Sequence, residues 1–243
     1  NNIKTAHIEG GEVSGAVDEI LRHSISKLCH IHFVTNLKAK KRLVQMGENR
    51  NSIFIIGSPD IDIIKSKNLP KIEFVKKWYD IIFEKYAIAV LHPVTTDLKN
   101  LNKQCKIFLK AIVQSKKNYI LIYPNNDHGF KDILKQYMQL KKNKYIKLLP
   151  SIRFEYYLTL LKNANFIIGN SSSGIMEAPY YGLPTINIGN RQNKRADFIT
   201  IANCKFSLKN INKLIKKFSQ KNTLKKNEKT KYFGKGQSFK IFS

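Results

Sequence analysis

Phe166-Ile167-Ile168-Gly169-Asn170-Ser171-Ser172-Ser173-Gly174 runs from a short apolar strand into a turn of glycine and serine. Residues 175–181 then carry a helical pattern that Gly182 ends, and residues 185–188 are strand-like again. Strand, small-residue turn and helix in that order open a βα unit. Backbone N–H groups and hydroxyls at such a turn form a cradle for phosphate. It is not a Walker loop, because the Gly-Lys-Ser/Thr ending is absent. Taken alone, the serines also fit an ordinary N-cap. Glu177 lies one turn further on, placed either to reach a ribose hydroxyl or to complement a helix dipole.

The same rhythm extends in both directions. Residues 4–9 are strand-like and enter a Gly10-Gly11 turn. Residues 16–28 place Val17, Ile20, Leu21, Ile25 and Leu28 at helical spacing, with Asp18 and Glu19 in the first turn. Residues 31–34 and 52–56 read as strands around a helix at 38–46. Further on, strands at 87–91, 119–123 and 145–148 alternate with helices at 104–115, 131–141 and 154–162. This is an α/β chain with parallel sheets and crossover helices. The reading divides it into residues 1–58, the last part of a Rossmann-like domain; a lysine-rich helical connector, 59–86; a second Rossmann-like unit, 87–204; and a basic, partly helical tail, 205–243. Functional residues in such sheets sit at the carboxyl ends of strands, which selects Glu9, His92, Asn125 and the 169–174 turn.

Composition narrows the function classes. Hydrophobic residues make up 42% of the 243, enough for a packed core. No apolar run reaches the ~18 residues that span a bilayer, and no secretory leader is visible. The three cysteines, Cys29, Cys105 and Cys204, form no CxxC pair and read as reduced thiols, so a cytoplasmic protein without a metal site is expected. The net charge of +26 would suit nucleic acid or an anionic membrane, yet only six of the 43 basic residues are Arg. Base readers favour the planar guanidinium fork, so neither partner is expected. A positive field still helps to capture a small anion.

Two further motifs carry chemistry. His7-Ile8-Glu9-Gly10-Gly11-Glu12 precedes Asp18-Glu19-Ile20-Leu21-Arg22-His23. Two carboxylates and an Arg near one strand end could transfer protons beside a bound anion, although Asp18 and Arg22 also fit a surface i,i+4 pair. His92-Pro93-Val94-Thr95-Thr96-Asp97 puts a histidine at a strand end, where it can titrate near neutrality or cap the turn. Phe154 is either a base-stacking platform or core. His128 is expected to face solvent, and one of His30 and His32 to be a satisfied core residue.

Taken together these motifs, with Gly182-Leu183-Pro184-Thr185-Ile186-Asn187-Ile188-Gly189-Asn190-Arg191-Gln192, resemble the UDP-N-acetylglucosamine 2-epimerases. The HIEGGE and HPVTTD forms are similar to the hydrolysing branch, which supplies N-acetylmannosamine for sialic acid-type sugars. The resemblance implies a GT-B-like fold of two Rossmann-like domains, the first incomplete here, with no cofactor. It implies elimination of UDP to a 2-acetamidoglucal, followed by hydration. By resemblance Glu9 and Asp18 match the catalytic carboxylates, and His92 matches the histidine that assists the leaving diphosphate. Arg22, Asn125, Phe154, Ser172, Ser173, Gly174, Glu177 and Arg191 match substrate contacts.

Family members carry a further N-terminal segment of about a hundred residues, with one more catalytic Asp. The chain is therefore expected to be a fragment, inactive alone, with an exposed apolar sheet edge, and a homo-oligomer (dimer or tetramer) when whole. Three alternatives stay open: the same reaction on a UDP- or GDP-2,4-diacetamido-2,4,6-trideoxyglucose, a non-hydrolysing epimerase, and a GT-B glycosyltransferase.

Overall fold

A computed structural model describes residues 3–14, 17–66, 68–192, 195–196, 198–219 and 230–243. Of the stretches read above, 15–16 and the tail's 220–229 lie outside the described residues. The chain forms two compact units: Asn1–Lys67 with Asn193–Arg195 and Thr230–Ser243, and Asn68–Gln192 with Ala196–Lys229.

In the first unit, strands β1 (Ala6–Ile8), β2 (Ile31–Val34) and β3 (Ile53–Ile55) form a parallel sheet in the order β1-β2-β3. Helix α1 (Val17–Lys27) connects the first pair, α2 (Leu37–Gln45) the second, and α3 (Pro59–Ile64) follows. Asn36 starts α2 by accepting from the Ala39 N–H at 2.9 Å, which satisfies one orphan donor of the first turn. The core here is small: Val34, Ala39, Leu43 and Ile53. β1 is a sheet edge, and Ile8 on it is exposed.

The second unit is larger. It contains α4 (Ile72–Trp78), β4 (Ala87–Val90), α5 (Leu101–Ser115), β5 (Tyr119–Ile122), α6 (Phe130–Met138), β6 (Ile146–Leu149), α7 (Phe154–Lys162), β7 (Ile167–Gly169), β8 (Thr185–Ile188), β9 (Ile201–Cys204) and α8 (Leu208–Ser219). Its six strands are all parallel, in the order β6-β5-β4-β7-β8-β9. Both faces are covered, so β4 can be apolar at every position. Ala87 and Ala89 face a core with Phe108, Tyr119, Tyr137 and Phe166; Ile88 and Val90 face another with Tyr86, Ile120 and Leu160. Gly169 holds φ at +138°, and a Cβ there would meet the Val90 carbonyl at 1.7 Å. Only glycine lets β7 lie against β4 at that point.

Four stretches differ from the sequence reading. Residues 175–181 are not an α-helix: two 3-10 segments, Ser172–Gly174 and Ala178–Tyr181, flank a turn. Pro179 has no N–H to continue a helical ladder. β9 has no counterpart in the sequence reading; it is a half-buried edge strand. The connector 59–86 holds α3 in the first unit and α4 in the second. The tail divides as well: α8 belongs to the second unit, and α9 (Ser238–Phe242) to the first. There the Asp62 carboxylate accepts from the Ser238 and Phe239 N–H groups at 3.1 and 3.0 Å.

Candidate active site

The sheet order of the second unit reverses between β4 and β7, and ligands of open parallel sheets bind at that switch point, beyond the strand ends. His92 follows β4 and Asn170 follows β7. The two are tied twice: the His92 N–H donates to Asn170 Oδ1 at 2.7 Å, and Asn170 Nδ2 donates to the His92 carbonyl at 2.9 Å. The buried Arg191 and Gln192 side chains both donate to the Asn170 carbonyl, at 3.3 and 3.2 Å. Beyond β5, Asn125 sets its Oδ1 and N at 3.0 and 3.1 Å from His92 Nδ1. Its Nδ2 donates to Asp127 at 2.6 Å, and Arg191 Nη2 lies 3.7 Å from the same carboxylate oxygen.

Burial, then the Arg191 charge, lowers the His92 pKa to about 4, against smaller opposite pulls from Asn125 and Asp127. His92 therefore does not titrate near neutrality, as its strand-end position had suggested; it is neutral there. A neutral imidazole can offer a hydrogen bond to a diphosphate without prior protonation.

The serine turn is built from both sides. Ser171 Oγ accepts from the Ser173 N–H at 3.3 Å. Thr185 Oγ1 donates to the Gly174 carbonyl at 2.8 Å, and a Cβ on Gly174 would meet Thr185 Cγ2 at 2.6 Å. Ser173 Oγ is hydrogen-bonded to the hydroxyl of Tyr157, from α7. Glu177 is buried nearby, and burial and its charge raise the hydroxyl pKa values of Tyr157 and Tyr181. Ser172 is half-buried beside this pair, and Phe154 is half-buried at the start of α7. Because no α-helix starts here, any anion must be held by local N–H and O–H groups, not by a macrodipole.

In the first unit Glu9 stands just beyond β1 with φ at +63°, a left-handed conformation that costs a non-glycine residue about 1 kcal/mol or more. Its N–H donates to the Phe33 carbonyl at 2.8 Å, which fixes the turn. Its Oε1 is sealed from solvent and, among the described residues, meets no donor within hydrogen-bond limits, although the Ser58 hydroxyl is near enough to favour the charged form. Burial dominates and raises the Glu9 pKa; Asp60 and Glu12 add to the rise, and Arg195 opposes it. Asp18 is exposed in the first turn of α1. Arg22 Nη1 donates to the Glu12 carbonyl at 3.3 Å, and the buried Glu12 carboxylate accepts from Thr35 and Asn36.

Thus the second unit brings His92, Asn125 and Arg191 together, and seats Ser173 beside Glu177. Asp127, Tyr157 and Tyr181 complete these surroundings and Ser58 those of Glu9 in the first unit, without a motif of their own, whereas Asn170 belongs to the 169–174 turn that the strand-end rule selects. Asn170 was legible as the first residue beyond its strand; the two tyrosines and Ser58 carry no motif. His128 is exposed, and His32 is buried with Nε2 3.1 Å from Glu48. Among the described residues no cluster of three or more His, Cys, Asp or Glu could hold a metal, and no helix is long and apolar enough to cross a membrane.

Residues 1–242 match the family model described as UDP-N-acetylglucosamine 2-epimerase. The chain is 51% identical over 205 residues to a UDP-N-acetylglucosamine 2-epimerase of Neisseria meningitidis, covering 84% of this chain and 54% of that one. It is 39% identical over 201 residues to the GDP/UDP-N,N'-diacetylbacillosamine 2-epimerase (hydrolyzing) of Campylobacter jejuni, covering 80% and 52%. The chain spans about half the length of the curated relatives it matches. A crystal structure of a Neisseria meningitidis UDP-GlcNAc 2-epimerase bound to UDP-GlcNAc superposes with a TM-score of 0.78 at 15% identity, over 99% of this chain and 68% of that one. That likeness shows the GT-B-like fold.

Proposed function

The chain belongs to the UDP-N-acetylglucosamine 2-epimerase family, and from that premise we propose that the whole protein is a hydrolysing epimerase. It would convert UDP-N-acetylglucosamine and water into N-acetylmannosamine and UDP. The observation that carries this reading is Glu9: a strand-end carboxyl with a raised pKa, held in a strained backbone conformation. The C2 hydrogen of the sugar is weakly acidic. A carboxylate with a raised pKa is a stronger base, and positioned acid–base groups contribute about 10²–10⁴ in rate.

In the proposed reaction a carboxylate, Glu9 or Asp18, takes the C2 proton while the C1–O bond to UDP breaks. This yields UDP and a 2-acetamidoglucal. Water then adds its hydroxyl at C1, and a proton returns to C2 on the opposite face. His92, Asn125 and Arg191 would receive the diphosphate, and Ser172, Ser173 and Gly174 would cradle it. Glu177 would take the ribose and Phe154 the base; Arg22 would contact sugar or phosphate. The His92-Pro93-Val94-Thr95-Thr96 segment favours hydrolysis over return of the sugar nucleotide. The whole enzyme is read as a cytoplasmic homo-oligomer serving sialic or legionaminic acid synthesis.

These residues alone are expected to bind UDP without turnover; robust turnover by the isolated chain would remove that part of the proposal. For the whole enzyme the test is NMR of a UDP-N-acetylglucosamine incubation in D₂O. Free N-acetylmannosamine deuterated at C2 is expected. UDP-N-acetylmannosamine without free sugar would assign the non-hydrolysing reaction instead. The 39% identity to a diacetylbacillosamine epimerase favours one second reading, the 2,4-diacetamido-trideoxy sugar. Faster nucleotide release from that analogue, as its UDP or GDP form, would select it.

A further inference from the structure

One group at the strand ends of the second unit has the wrong sign for its place. In a chain of 43 basic and 17 acidic residues, the Asp127 carboxylate stands 3.7 Å from Arg191 Nη2, beside the residues read above as the diphosphate site. By charge alone a carboxylate there repels an anion and competes for the guanidinium. Its use lies on its other side. The same Oδ2 accepts from Asn125 Nδ2 at 2.6 Å, and Asn125 is the residue that meets His92.

Asn125 makes two opposed offers to one ring nitrogen. Its Oδ1, an acceptor, lies 3.0 Å from His92 Nδ1, and its N–H, a donor, lies 3.1 Å from the same atom. A bare Nδ1 suits the N–H and leaves a proton on Nε2; a protonated Nδ1 suits Oδ1. An ionised carboxylate can only accept, so Asp127 claims the amide NH₂ and turns Oδ1 to the ring. That favours Nδ1–H. In a neutral ring Nε2 then carries the lone pair, which a phosphate oxygen repels. With one more proton Nε2 becomes a donor, and both nitrogens are satisfied at once.

We propose that Asp127 is a positioning residue for diphosphate binding: through Asn125 it holds His92 in the arrangement that takes up one proton from solvent as a nucleoside diphosphate arrives. This rests on the nucleotide-site reading proposed above. The bound ring donates Nδ1–H to Asn125 Oδ1 and Nε2–H to the diphosphate. Burial, with the Arg191 charge, holds the pKa of the free ring at about 4, while Asn125 and Asp127 pull the other way. Arg191, beyond β8, and Asp127, beyond β5, are the charged groups that act on the ring among the described residues. A diphosphate beside Arg191 offsets that charge and adds its own, so the His92 pKa rises on binding. A group whose pKa is higher in the complex takes up its proton with the ligand, so affinity grows as pH falls toward the free value.

The test uses the 243-residue chain and UDP-N-acetylglucosamine, whose diphosphate is esterified at both ends and does not itself titrate near neutrality. Calorimetry in buffers of different ionisation enthalpy should show uptake of roughly half a proton to one proton per ligand bound at pH 7, with affinity about tenfold or more higher at pH 5.5 than at pH 7.5. In the complex both nitrogen-15 resonances of His92, assigned by their loss in His92→Gln, should lie in the protonated range. Asp127→Ala should weaken binding about tenfold and abolish the uptake. Asp127→Asn, whose Oδ1 can still accept from Asn125 Nδ2, should recover part of both. Asp132→Ala removes an exposed acid from the first turn of α6 and should change neither.

Binding without proton uptake would overturn the proposal. So would tighter binding by Asp127→Ala, the result of removing a plain repelling charge. So would weaker binding with uptake and nitrogen-15 shifts unchanged, the result of a role confined to the loop or to Arg191. A parent chain that does not bind the ligand at all fails the nucleotide-site reading and this inference with it, whereas binding without uptake fails this inference alone.

Discussion

The strand end of β1 and the strand ends of β4 and β7 solve opposite problems. At β4 and β7 the polar groups satisfy one another. Asn170 bridges both backbone groups of His92, Arg191 and Gln192 hold the Asn170 carbonyl, and Asn125 meets the imidazole. At β1 the Glu9 carboxyl has a thinner shell among the described residues: its backbone is left-handed, one oxygen is sealed with only the Ser58 hydroxyl nearby, and burial raises its pKa. A site that only has to bind can be built from mutually satisfied groups, which add to stability. A site that has to move a proton needs a group kept away from its most stable state.

The contrast can be broken by substitution. The largest effect is expected at Glu9. In the whole enzyme Glu9→Gln should lower turnover by roughly 10³-fold, with UDP affinity within twofold by calorimetry. A raised carboxyl pKa means that the folded unit disfavours ionisation, so a cost is present above the Glu9 pKa and absent at low pH. Gln removes that cost, and the variant should melt no lower than the parent at pH 7. A variant that loses both activity and fold would place Glu9 in the same class as Asn170.

Asn170→Ala should do the reverse. It leaves both backbone groups of His92 unpaired, at a cost of about 2–4 kcal/mol. Denaturant unfolding of the second unit should shift, and UDP binding weaken with it. A variant as stable as the parent would show that the double tie is not structural.

His92 gives a pH signature. Its pKa falls from 6.5 to about 4 on folding. The stability it contributes is complete above pH 6.5 and is lost as pH falls toward 4, because the unfolded chain binds the proton first. The loss is up to about 3 kcal/mol. Unfolding curves of the parent and His92→Gln should therefore converge as pH is lowered from 7 to 4; parallel curves would contradict the burial argument. The smallest effect is expected from Tyr157→Phe. One hydrogen bond to Ser173 is worth about 1 kcal/mol, so UDP affinity should drop about fivefold with the melting temperature nearly kept.

Much of this was legible locally. Apolar runs of strand length stopped by Gly, Pro, Asn or His placed Glu9, His92, Asn125 and the 169–174 turn at strand ends, because period and turn chemistry act over a few residues. After Gly174 the apolar pattern predicts an α-helix, but Pro179 lacks the donor that would continue one, and two 3-10 segments form instead. Ile20, Leu21 and Ile25 of α1 keep a helical period in the sequence, but a period does not say which way its face points, and the three are exposed.

The sequence alone therefore determined the alternation of strands and helices, the family motifs and the residues at the strand ends, all of which depend on neighbours along the chain. The tertiary structure decided the order β6-β5-β4-β7-β8-β9, and hence that His92 meets Asn170. It also decided that Tyr157 reaches Ser173, that His92 is neutral, and that α1 turns its polar side inward. Those outcomes depend on burial and on contacts between residues far apart in the chain, which strand pairing creates and local pattern does not contain.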